Sequence, residues 1–241
     1  DYVGGLFGSA ASNVLIELKN VQQDAIESMS TATFEVFNSG AIVGNNYVGG
    51  IAGYLGNGLH TLERIVNKGR IGSANAEYVG GLVGYLVSGD VSNSVSVYNG
   101  TTPNAASDMY VGKQNVGGLI GYMQGGSLTN SISTGFKFDG SNTSLTKGGV
   151  VGGVVNPRIE GSWTIYIATS PTEITTSVNK NGKFVIVDSS ITNQVGVFNF
   201  VLAMAGVCKE TKYNDYIFKQ GELLIGVNYP TDNVSQLAFY D

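Results

Sequence analysis

Short runs that alternate apolar and polar residues recur along the first two thirds of the chain, and pairs of glycines separate them. Val91-Ser92-Asn93-Ser94-Val95-Ser96-Val97 and Leu128-Thr129-Asn130-Ser131-Ile132-Ser133-Thr134 are the clearest. Their period of two is that of a half-buried strand. Helical spacing is weak by comparison. It is confined to Asp24-Ala25-Ile26-Glu27-Ser28-Met29, inside an insertion over 14–33, and to Val195, Phe198, Leu202 and Ala205.

The glycine pairs belong to a longer repeat. Tyr2-Val3-Gly4-Gly5-Leu6-Phe7-Gly8 returns as Tyr47-Val48-Gly49-Gly50-Ile51-Ala52-Gly53, Tyr78-Val79-Gly80-Gly81-Leu82-Val83-Gly84 and Asn115-Val116-Gly117-Gly118-Leu119-Ile120-Gly121. A fifth, weaker copy reads Val150-Val151-Gly152-Gly153-Val154-Val155-Asn156, with Asn156 in place of the last glycine. On that alignment the first glycines stand at 4, 49, 80, 117 and 152, a unit of roughly 31 to 37 residues with an insertion in the first, which is the range of solenoids and arrays. Self-similar units this short cannot bury an apolar face alone and must stack. The expected fold is therefore all-β, a right-handed parallel β-solenoid of about five coils over 1–170, its hand following the usual crossover preference.

Asparagine marks a second row. Asn93 and Asn130 each follow the first glycine of their pair by thirteen residues, and Asn38 and Asn67 occupy similar runs at a longer distance. On an alternating strand all four share a face with apolar neighbours. This predicts an internal ladder in which each amide bonds the next coil, because an inward amide is costly unless hydrogen-bonded. The paired glycines fit positive φ or a close approach between coils. Beyond residue 170 the rhythm stops. Residues 173–178 and Lys183–Asp188 read as strands joined through Asn179-Lys180-Asn181-Gly182, a second hairpin is expected within 216–225, and residues 171–241 together read as a mixed β cap.

The recurring Gly-Gly-Leu/Ile-x-Gly followed by an Asn-Ser-rich strand resembles the GLUG motif of repeated arrays in bacterial surface and secreted proteins, some of them adhesin-like. The likeness covers about residues 2–170. It implies an extracellular or cell-surface location and brings no catalytic residue with it.

Composition narrows the function classes. Charged residues are 13% of the chain, so the surface must be built mainly from Ser, Thr, Asn and Gly. Thirteen Lys and Arg against eighteen Asp and Glu leave no basic footprint, and nucleic acid is not an expected partner. The longest apolar stretch, 195–208, is too short to span a bilayer as a helix. One cysteine cannot make an internal disulfide. The chain opens directly on a repeat at Asp1-Tyr2-Val3, with neither a signal peptide nor a charged leading segment, which suggests an excised piece of a longer protein.

Candidate chemistry is sparse. His60, the single histidine, lies in a Gly-rich stretch, reads as a solvated loop residue and has no ligand set for zinc. Cys208 reads as a buried, inert thiol. The carboxylates Glu63, Glu77, Asp90, Asp108 and Asp139 fall singly near turns or linkers. No catalytic, cofactor or metal site is expected, and the chain is not read as an enzyme. The one suggestive surface feature is aromatic: Tyr54, Tyr85 and Tyr122 each follow the motif's last glycine and form an outer column if Ile51, Leu82 and Leu119 face the core. Sugar rings stack on such surfaces. The expected role is thus a structural or adhesive repeat whose partners are preceding repeats or neighbouring subunits end to end. The alternatives are carbohydrate binding through the tyrosines or, less favoured, polysaccharide cleavage.

Overall fold

A computed structural model describes residues 1–26, 34–97, 111–134, 147–156, 158–160, 162–168, 183–188, 205–213, 216–219 and 237–240. These residues are all-β, and their repeats form parallel strands in stacked sheets, an arrangement compatible with a β-solenoid. No helix among them is long and apolar enough to cross a membrane.

Each coil contributes one strand to each of four parallel sheets. The first sheet stacks Tyr2–Gly4, Tyr47–Gly49, Tyr78–Gly80, Val116–Gly117 and Lys147–Gly148. The second stacks Phe7–Ala10, Ala52–Leu55, Val83–Leu86, Ile120–Met123 and Val151–Val154, and the third Glu17–Lys19, Thr61–Glu63, Asp90–Ser92, Ser127–Thr129 and Arg158–Glu160. The fourth begins Phe37–Asn38, Val66–Asn67, Val95–Ser96, Ile132–Thr134 and Trp163–Ala168, then continues with Lys183–Asp188 in parallel and Leu237–Tyr240 antiparallel.

In-register stacking puts like on like. Val83 pairs with Ala52 on one side and Ile120 on the other, and Val91 with Leu62 and Leu128. These rows, with Ile51, Leu82 and Leu119 at the corner between the first two sheets, make one continuous core that water does not reach. Each such side chain contributes about 1.5–3 kcal/mol by leaving water.

The register corrects the fifth repeat. Gly117 pairs with Gly148, and Ile120 with Val151. The fifth motif is therefore Lys147-Gly148-Gly149-Val150-Val151-Gly152, which keeps all three glycines, and the fourth step is 31 residues, from Gly117 to Gly148. The resemblance of Val151-Gly152-Gly153 to the motif shifted the sequence alignment by four.

The glycine pair is required by close approach. A Cβ on Gly50 would lie 2.5 Å from Asn67 Cγ and against the Gly81 carbonyl oxygen of the next coil. Gly53 faces the backbone of the first sheet, so the first two strands of each coil pack almost backbone to backbone. No motif glycine has positive φ; among the described glycines that conformation belongs to Gly72, Gly89, Gly126 and Gly206.

The asparagine ladder divides into two features. Asn38 and Asn67 are inside the fourth sheet, in register with Ser96 and Ser133. Asn38 Nδ2 donates to Asn67 Oδ1 at 2.8 Å, and Asn67 Nδ2 to Ser96 Oγ at 3.0 Å. Asn93 and Asn130 are not in this ladder. With Arg64 they form the corner between the third and fourth sheets, at φ of 51°, 46° and 56°. Asparagine tolerates that left-handed region better than most residues, which is why it recurs there. The inward column at this corner is serine: Ile65 N–H donates to Ser94 Oγ (3.0 Å), Ser94 N–H to Ser131 Oγ (3.1 Å) and Ser131 N–H to Ser162 Oγ (3.2 Å). The Ser94 and Ser131 hydroxyls donate in turn to the carbonyls of Ser92 and Thr129, so both polar capacities are used.

In the described part of the first unit's insertion, Glu17–Lys19 and Gln23–Ile26 are strands where a short helix or loop was expected, and 27–33 are outside the described residues. Glu17–Lys19 belongs to the third sheet, and Gln23–Ile26 pairs in parallel with Cys208–Tyr213. Cys208–Tyr213 also pairs antiparallel with Tyr216–Lys219, the first strand of the hairpin expected within 216–225, whose residues 220–225 are outside the described ones. Lys183–Asp188 pairs with Trp163–Ala168 on one edge and Leu237–Tyr240 on the other. The strand expected at 173–178, together with Val195, Phe198 and Leu202, is not among the described residues.

Candidate functional site: a tyrosine ribbon

The close approach of the first and second strands leaves their outward side chains side by side. In coil two these are Tyr47 and Tyr54, in coil three Tyr78 and Tyr85. Tyr2 pairs in register below Tyr47, and Tyr122 above Tyr85. Six phenols thus form two columns on one outer face.

The rings are in mutual contact throughout. Tyr2, Tyr47 and Tyr78 stack nearly parallel, with centroids 4.8 and 4.9 Å apart and interplanar angles of 8° and 4°. Tyr54 and Tyr85 are 5.5 Å apart, and Tyr85 and Tyr122 5.0 Å. Between the columns, edge-to-face contacts at 5.2–5.8 Å link Tyr2 and Tyr47 to Tyr54, Tyr47 and Tyr78 to Tyr85, and Tyr78 to Tyr122. Such pairs are each worth about 0.5–1.5 kcal/mol beyond their buried area. Tyr85 Oη donates to Gln124 Oε1 at 3.0 Å. Partial burial, together with the neighbouring phenols, raises the pKa of Tyr47, Tyr78 and Tyr85 above the usual tyrosine value. The ribbon ends above Tyr122 at Gly153, where a Cβ would stand 2.7 Å from the Tyr122 ring.

Tyr54, Tyr85 and Tyr122 do face outward as a column. Ala52, Val83 and Ile120 do not share that face: they are buried along with Ile51, Leu82 and Leu119, so strict alternation fails within the second strand, between each of these residues and the tyrosine two positions on. Sequence reasoning missed Tyr2, Tyr47 and Tyr78 as members. Their signal is the spacing of seven in Tyr47/Tyr54 and Tyr78/Tyr85, across a motif whose glycines fold the chain back on itself.

His60 is buried at 1% exposure, contrary to the solvated loop expected, because it lies under Gly89, a residue without a side chain. Its Nε2 is 3.2 Å from the Gly56 carbonyl oxygen while Nδ1 has no partner, and burial lowers its pKa. Cys208 is buried, and desolvation pushes its thiol up to about 12, where it is inert. Glu63 pairs with Arg64, and Asp90 accepts from the Ser127 hydroxyl. Glu77 is half-buried beside the ribbon, where it contributes to the raised pKa of Tyr78; Asp108 and Asp139 lie outside the described residues. Among the described residues no three His, Cys, Asp or Glu side chains are placed to hold a metal ion.

Compared with protein-family models, curated proteins and solved structures, the chain matches none. The resemblance to GLUG-motif arrays rests on the quoted residues alone.

Proposed function

We propose that the chain is a structural or adhesive repeat module, a right-handed β-solenoid segment of a bacterial surface or secreted array, with residues 171–241 closing it as a cap. The observation that carries this reading is the constancy of register: the same positions stack on one another from coil to coil across four sheets, which is what a rod or spacer requires. Five coils at the parallel-strand spacing of about 4.8 Å set the first and last coils about 19 Å apart. Function on this reading lies in length, stiffness and end-to-end contact.

Glycan binding through the tyrosines is the weaker reading, because most ring faces are spent on neighbouring rings and Tyr2 is the most exposed of the six. Mass photometry over a concentration series, with negative-stain imaging of the same samples, tests the proposal. End-to-end oligomers are expected. A protein that stays monomeric at all concentrations, yet binds or cleaves a polysaccharide in a panel, would replace it with one of the alternatives.

A further inference from the structure

The outward positions of the third sheet hold ordinary polar residues in register, Glu17, Thr61, Asp90, Ser127 and Arg158. On the first and second sheets six of the outward positions are instead tyrosine, half-buried or exposed, so these rings are not there to fill the core. Every ring lies within 5.8 Å of at least two others, and contacts within and between the columns give more than one path from Tyr2 to Tyr122. Phenol is among the most readily oxidised of side chains, and rings in van der Waals contact exchange electrons readily.

We propose that the ribbon is a one-electron relay running along the stack, taking oxidising equivalents from a strong one-electron oxidant at one end, such as a peroxide-charged haem centre or a water-borne radical, and yielding them to a small reductant such as a thiol or enediol at the other. The oxidant takes one electron from a tyrosine, whose phenolic proton passes to water, leaving a neutral tyrosyl radical. At each hop the neighbouring tyrosine gives that radical an electron and loses its own proton to water, while the first regains a proton from water. The reductant finally gives up one electron and one proton, and every phenol is restored. Partial exposure of each ring supplies the water this exchange needs. The raised pKa values of Tyr47, Tyr78 and Tyr85 keep the resting phenols protonated, so that no phenolate traps the charge midway.

The test places the oxidant at a known end. Ser9 is exposed and pairs in register with Tyr54 at the foot of its column. A ruthenium polypyridyl complex attached to Ser9→Cys is excited in the presence of a cobalt(III) acceptor, radicals are captured with a nitroso trap, and labelled residues are located by mass spectrometry. Wild-type ribbon should be labelled at Tyr122 as well as at Tyr54. With Tyr78→Phe and Tyr85→Phe combined, both rings remain to pack but cannot be oxidised, and labelling at Tyr122 should be lost while labelling at Tyr47 and Tyr54 persists or rises. Circular dichroism checks that the variant keeps its fold. Labelling of Tyr122 that survives the double substitution, or its absence from both proteins, would overturn the relay.

Discussion

The same motif has different physical worth in the first coil and in the coils behind it. Leu6 is 48% exposed, whereas Ile51, Leu82 and Leu119, at its position in the next three coils, are wholly buried. Phe37 is 42% exposed and the valines registered after it, Val66 and Val95, are not exposed at all. Asn38 and Asn67 form one amide column, but only Asn67 has neighbours of that column on both sides. In a stacked fold burial belongs to the coil's neighbours as much as to the residue, so identical side chains should differ in energy by position alone.

The comparison can be broken most forcefully at the corner leucines. Leu82→Ala opens a cavity between two flanking coils and should cost about 2–5 kcal/mol, whereas Leu6→Ala should cost less than about 1 kcal/mol, as for a surface change. Chemical denaturation of both variants, at dilutions where the chain is monomeric, decides it; equal losses there would mean that Leu6 is covered within the single chain. At the amide column, Asn67→Ala leaves the buried Gly69 N–H without its acceptor and removes the donor to Ser96, for about 1–3 kcal/mol. Asn38→Ala, at a half-buried site, should cost a fraction of that.

A smaller effect separates the two kinds of asparagine. Asn130→Ala places a Cβ-bearing residue without a helpful side chain at φ 46° and should cost about 1 kcal/mol, whereas Asn130→Gly should be nearly neutral because glycine accepts that region freely. A loss on Asn130→Gly equal to that of Asn67→Ala would return Asn130 to the interior ladder.

The smallest effect is set by pH. His60 has its pKa lowered in the folded protein by burial, so the unfolded chain binds the proton more readily. Its contribution is complete above the unfolded value near 6.5 and is lost as pH falls below it. Thermal melts from pH 7.5 to 5 should show a modest destabilisation that is absent in His60→Gln; identical profiles would mean the imidazole is solvated.

Much of the fold was legible because the stack is written as periodic sequence. Val-Gly-Gly-Leu/Ile-x-Gly located four of the five coils, and alternation located the strands around Val91 and Leu128. What misled was any place where local pattern and stacking register compete. Gly152-Gly153 follows a valine as the motif does, whereas Gly148-Gly149 follows a lysine but keeps the third glycine, and pairing with Gly117 decides between them. Asn93 sits in an alternating run but occupies a corner, since alternation cannot report a backbone turn to positive φ. Arg64 at the equivalent corner departs from asparagine, and its Nε donates to the Gly206 carbonyl, a contact 142 residues away that no local pattern contains. The ribbon was half legible: one column followed from the motif, while the second required knowing that glycine brings the first two strands together.

The central claim is in-register parallel stacking of the coils, and methyl-to-methyl nuclear Overhauser contacts test it most directly. The account predicts that Val83 contacts both Ala52 and Ile120, and that Ile120 contacts Val151 in its turn. Contacts from Val83 to only one of those neighbours, or from Ile120 to Val155 in place of Val151, would contradict it.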